Sequence, residues 1–373
     1  MESRHGGVVA LKPINEVAIF MKNLVPANIP ETYALKPVIE NIASTENVYK
    51  GVIAFRDFIY LLCDCLISDG HTYAKPPNKP AHAADYPFLY YLTNLLVDVG
   101  YHSKFAENGD SLTLTGIPIL CPSTDRNGKR TNSKIPVSGR IDCFRFLALC
   151  GFVFKGVDLE AKSFNISEEQ PLIVSYPDNP IMLTGLKAMS VADMELRATR
   201  RYWNDNHLLR CDYRLIMAED TDALDALKDI LHPLPGNLRD FVIKLHQRYI
   251  GMGLTCVTII DDQYHFAYSD IQNSKRVYKP RDIYTVRIWE FSYSLKHGYC
   301  IFVRSKKTAK YAEVIKQFPQ SLQENITKGY GCDRKLRNER CQKGCQGIRV
   351  PVDESILEIG DDIVTWLDNE ISC

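Results

Sequence analysis

Residues 255–303 constrain the fold of this chain most. Four runs rich in β-branched and aromatic residues follow one another there, at 255–260, 264–268, 284–293 and 299–303. Two of the gaps are Asp261-Asp262-Gln263 and Leu295-Lys296-His297-Gly298. Gaps this short turn the chain back on itself, whereas a parallel pair needs a crossover of a dozen residues or more. An antiparallel sheet is therefore expected. In the run 284–293, alternation places Arg287, Trp289, Phe291 and Tyr293 on one face, and Val286, Ile288 and Glu290 on the other. An aromatic face can floor a pocket for a flat or cationic ligand, so Arg287, Trp289, Phe291 and Tyr293 are candidate pocket residues. The same pattern also suits a face closed by helices over 308–328 and 353–369.

The N-terminal part has a different grammar. Residues 13–70 read as helical, and Lys75-Pro76-Pro77-Asn78-Lys79-Pro80 breaks the pattern. A second helix is expected from Asp85 or Tyr86, with Pro87 in its first turn and Gly100 at its end. Its apolar positions are Phe88, Tyr91, Leu92, Leu95 and Val99. A hairpin follows, 101–105 and 111–115, turning at Asn108-Gly109, a pair that tolerates the positive φ of tight turns. The order helix, glycine, strand recurs at 140–154 around Gly151. Two winged-helix-like units are expected on that architecture. Between them, Arg126, Lys129, Arg130, Lys134 and Arg140 stand against a single acid, Asp125. These five are candidate nucleic-acid contacts, because cations beside a winged hairpin meet phosphates. A solvated basic loop is the alternative. The whole chain is neutral, with 45 Lys+Arg and 45 Asp+Glu, which argues against a protein that coats nucleic acid over its whole surface.

Further along, strands are expected at 172–176 and 208–216. Helices are expected from 181, at 221–230, from 237, at 308–318 and 320–328, and from 353 onward, with Gly360 an awkward residue inside the last one. The chain has 373 residues, too many for one ordinary core. The expected fold is α+β: an N-terminal helical, winged-helix-like region over 1–165, and a C-terminal antiparallel sheet packed with helices over 166–373, with a further division near 220 as an option. The first residues lack a basic start and a long apolar run, and apolar stretches such as Phe58-Ile59-Tyr60-Leu61-Leu62-Cys63 fall short of about 18 residues. A cytoplasmic protein without membrane contact is expected, with reduced thiols. Most of the 12 cysteines lie in apolar contexts, where cysteine acts as a small hydrophobe.

Three cysteines are different. Cys332, Cys341 and Cys345 sit in a glycine-rich, basic, nearly apolar-free loop over 329–347. Thiolates at such spacing suit a structural zinc site, for which Cys300 or His297 on the preceding hairpin, or Cys373, can supply a fourth ligand. Nearby cations lower thiol pKa values, so reactive thiols are a second reading and a plain surface loop a third. Motifs H-E-x-x-H, G-x-S-x-G, G-x-x-x-x-G-K-[ST] and G-x-G-x-x-G are absent.

The run Gly329-Tyr330-Gly331-Cys332, then Glu339-Arg340-Cys341-Gln342-Lys343-Gly344-Cys345-Gln346-Gly347, then Asp353-Glu354-Ser355-Ile356-Leu357, resembles a family of uncharacterised bacterial proteins. The element order over about 235–370 is similar to that of GyrI-like domains. That resemblance implies small-molecule binding on an antiparallel sheet, in folds often joined to DNA-binding regulators. The functional expectation is a ligand-sensing or regulatory protein that meets DNA or a partner through its N-terminal region. A hydrolytic or thiol enzyme and an interaction scaffold are the alternatives.

Overall fold

The computed structural model describes residues 10–78, 80, 83–115, 137–160, 166, 168–199, 208–219, 222–260, 264–271, 286–328 and 347–373. The chain is an α+β protein with two antiparallel sheets, and it forms two compact units, Met1–Thr221 and Asp222–Cys373.

The described helices of the first unit are α1 (Ile14–Leu24), α2 (Pro37–Glu40), α3 (Thr45–Tyr73), α4 (Pro87–His102), α5 (Val137–Leu149) and α6 (Met182–Thr199). Helix α3 is the central element. Ser44 caps it by accepting from the Asn47 N–H at 3.4 Å, and Val48, Val52, Phe55, Ile59, Leu62 and Leu66 recur every three or four residues on its buried stripe. Each such side chain stabilises by about 1.5–3 kcal/mol when removed from water. Helix α6 crosses α3 at a pair of glycines. A Cβ added at Gly185 would lie 2.0 Å from the Gly51 carbonyl oxygen, so only glycine permits this approach.

Helix α4 runs into the expected hairpin, β1 (Lys104–Phe105) and β2 (Ser111–Leu114). With β3 (Val153–Lys155) and β4 (Leu172–Ser175) these form one sheet in the order β1-β2-β4-β3. Strand β3 thus pairs with β4 and opens no hairpin of its own. This pairing also corrects the expected boundary at 165/166. Strand β4 lies between β2 and β3 and so belongs to the first unit, and the chain divides at 221/222, beside the further division offered near 220. The strand expected at 208–216 is two 3-10 turns, Leu208–Arg210 and Tyr213–Ile216. Cys211, between them, has a left-handed φ of 47°, incompatible with a strand, and its thiol points at the Val52 carbonyl of α3.

The second unit opens with α7 (Ala223–Leu231) and α8 (Gly236–Gly251), then runs through a meander of β5 (Thr255–Ile260), β6 (Tyr264–Ser269), β7 (Trp289–Ser294) and β8 (Gly298–Val303). After α9 (Ala312–Ile315) and α10 (Gln320–Lys328), β9 (Ile348–Pro351) adds to β8, giving the sheet β5-β6-β7-β8-β9. Short α11 (Ser355–Glu358) and α12 (Gly360–Ser372) close the chain. Gly360 opens α12 instead of sitting inside a longer helix, because Ile359 leaves helical geometry at φ −113°. The described part of the strand expected over 284–293 begins only at Trp289, so Arg287 does not share its alternation.

Candidate functional site on the polar face of the second sheet

The register of β6, β7 and β8 sorts their side chains onto two faces. One face is aromatic. Tyr268 lies opposite Trp289 and stacks on it with centroids 3.8 Å apart, Phe266 lies opposite Phe291, and Tyr293 stacks on Tyr299 at 3.9 Å. Helix α8 covers this face: the Tyr249 ring meets Trp289 edge-on at 5.4 Å, and His246 Nδ1 lies 2.8 Å from the Tyr268 hydroxyl. Helix α7 contributes the Ile230 carbonyl, which accepts from the Tyr299 hydroxyl at 2.9 Å. Trp289 and Phe291 are fully buried and Tyr293 is 7% exposed. The expected pocket floor of Trp289, Phe291 and Tyr293 is therefore an interior face closed by helices, which is what aromatic side chains do in most sheets.

The opposite face is polar and also buried. Two rows cross the strands. In one, His265, Ser292 and Cys300 are successive partners; in the other, Ala267, Glu290, Phe302 and Arg349 are. Partners in adjacent antiparallel strands have Cβ atoms about 4.5–5.5 Å apart, so each row is a line of touching groups. Glu290 is fully buried and lies between His265 and Arg287. Its Oε1 lies 3.3 Å from His265 Nδ1, and its Oε2 lies 2.5 Å from Arg287 Nε. The second contact is off the N–H line, so it is an ion pair and not an aligned hydrogen bond. Arg287, the one expected pocket residue on this side, sits with its guanidinium 4.8 Å from the centre of the Phe302 ring. The Arg349 guanidinium is 5.4 Å from the same ring. Ala267, opposite Glu290, is small enough to leave the carboxylate room. At the end of β6, the Ser269 hydroxyl is buried, with no hydrogen-bond partner among the described residues.

The chemistry of this face follows from these contacts. A carboxylate on one ring nitrogen fixes the imidazole's orientation and makes the other nitrogen the acceptor in the neutral ring. Cys300 is 3.2 Å from the Ser292 hydroxyl. Burial pushes its thiol upward, and the Ser292 hydroxyl and the Arg349 guanidinium only partly offset that. Cys300 rests as a thiol, a poor nucleophile and a poor metal ligand. His297 is exposed in the β7–β8 turn, where burial, Arg349 and Lys296 lower its pKa.

The remaining expected sites fall elsewhere. Cys332, Cys341 and Cys345 lie outside the described residues, as do Arg126, Lys129, Arg130 and Lys134. Among the described residues no group of three or more His, Cys, Asp or Glu side chains is placed to hold a metal. Arg140 is half-buried in α5. Burial lowers its pKa and the charge of Asp98 opposes that. No described helix is long and apolar enough to cross a membrane.

Sequence reading passed over His265 and Ser292, placed Glu290 only on the face opposite the expected pocket, and weighed Cys300 only as a fourth zinc ligand. The signal was there: the alternate positions 265 and 269 in β6, 290, 292 and 294 in β7, and 300 in β8 are polar or thiol in three consecutive strands. No family model, curated protein or solved structure matches this chain.

Proposed function

We propose that the second unit binds a small polar molecule on the face formed by His265, Arg287, Glu290, Phe302 and Arg349, and that the protein senses that molecule. The reading rests on the full burial of Glu290 between His265 and Arg287, on a sheet whose other face already supplies the apolar core. A buried ion pair adds little stability over an apolar replacement of the same shape, whereas buried charges gather where ligands are handled. The face offers guanidinium donors, one carboxylate acceptor, an imidazole and an aromatic ring. Its complement is a small molecule carrying both an acidic group and hydrogen-bond donors, such as an amino acid or a related amphoteric metabolite.

Thermal melting of the full chain in a panel of free amino acids, dicarboxylates and inorganic phosphate tests the proposal. A ligand at 100 times its Kd stabilises by about 2.7 kcal/mol, which is visible as a rise in Tm. The expected result is a rise with an amphoteric probe that His265→Gln abolishes and that Arg248→Met, at the exposed Arg248–Asp368 pair, leaves intact. Melting unmoved by every probe, or a rise equal in all three proteins, counts against it.

One observation favours a second reading. Ser292 stands directly across from His265, whose ring Glu290 orients, which is the order of groups used in proton transfer. Turnover of a bound probe, lost in His265→Gln, separates an enzyme from a sensor.

A further inference from the structure

We infer that Cys65 and Cys150, in the first unit, are an oxidation site that closes to a disulfide when a hydroperoxide reaches Cys65. The placement comes from packing. On α3, Phe58 meets Phe152 with centroids 5.1 Å apart, and Tyr73 meets Phe146 at 5.3 Å. Cys65 lies about two helical turns from each of those α3 residues, on the same stripe. Cys150, just past the end of α5, lies between Phe146 and Phe152 in the chain. The two aromatic contacts therefore bracket the thiols, and burial, then the neighbouring Cys65, push the Cys150 thiol upward. Both are free thiols; Cys65 is half-exposed and Cys150 is buried.

The asymmetry in exposure assigns the roles. Cys65 sulfur takes the terminal oxygen of the hydroperoxide, giving Cys65 sulfenic acid and an alcohol, or water from hydrogen peroxide. Cys150 sulfur then attacks the Cys65 sulfur. The S–O bond breaks, the Cys150 proton leaves with the hydroxyl as water, and the S–S bond forms. Two thiols are oxidised and one peroxide is reduced. Burial pushes the Cys150 thiol upward, so its proton must leave as its sulfur attacks. Cys63, also near Cys150, is fully buried and lacks the access that Cys65 has.

Peptide mapping of the full chain tests this directly. The protein is treated with hydrogen peroxide, alkylated after denaturation without reductant, and digested. The expected result is a peptide pair joined through Cys65 and Cys150, lighter by two hydrogens than the separate peptides and released by dithiothreitol. Cys65→Ser removes the cross-link, and Cys63→Ser keeps it. Recovery of both Cys65 and Cys150 as alkylated free thiols overturns the inference. So does Cys65 sulfinic acid with Cys150 free, or a cross-link that needs Cys63. The wild-type map decides without any substitution, so a variant that fails to fold does not weaken the test.

Discussion

Glu290 is the least exposed acid among the described residues of the second unit. Removing one partner of a buried pair leaves the other charge uncompensated, at a cost of about 3–5 kcal/mol. Arg287→Met is expected to lower the urea unfolding free energy by that amount. The double change Arg287→Met with Glu290→Leu should recover most of it, because no buried charge is then left alone. A double variant as unstable as the single one would mean that the pair holds the unit together. His246 gives a pH-dependent counterpart on the aromatic side. Burial beside Tyr268 lowers its pKa, and Asp222 only partly opposes that. The unfolded chain therefore binds a proton first as pH falls. The stability contributed by neutral His246 is complete above the unfolded pKa of about 6.5 and is lost below it. Unfolding titrations at pH 7.5 and 5.5 should show a drop in stability that is smaller in His246→Gln. An equal drop in both proteins would contradict the assignment.

Among the elements, the crossing of α3 and α6 is the least tolerant of change. A methyl group at Gly185 meets backbone, which has no rotamer through which to yield, so Gly185→Ala should cost about 1–3 kcal/mol or more in urea unfolding. Gly251→Ala, with open space at its Cβ position, is the control and should be near neutral. Local pattern made some elements legible and not others. The β1–β2 hairpin and the antiparallel meander followed from short turns and strand-period residues, because turn length alone sets strand direction there. The stretch 208–216 misled for a physical reason. Its Leu, Cys, Tyr and Ile look like strand residues, yet they serve as core for α3 and its neighbours in two tight turns about Cys211. Burial without a sheet partner leaves the same composition as a buried strand. The pairing of β4 with β2 and β3 was invisible for a related reason, since nothing local in a four-residue strand names its partner.

On the scale of the whole molecule, two units of different construction share one chain, a helical one built on α3 and one built on a five-stranded sheet. The sequence made the second sheet legible and drew attention to its aromatic side. Aromatic residues on a strand draw attention as ligand surfaces, yet here they are the interior, and the alternate positions carry the charges. The pairing of β6 with β7 brings His265 to Glu290, and Arg287 reaches the same carboxylate from just before β7. The central claim is that this polar face receives a small molecule. Its most direct test is a crystal structure of the full chain grown with the amphoteric probe that raises Tm most. The account predicts density larger than a water molecule in contact with Arg287, Glu290 or His265. Contact of those three side chains, and of the Ser269 hydroxyl, with only this chain's own atoms and single waters would contradict it.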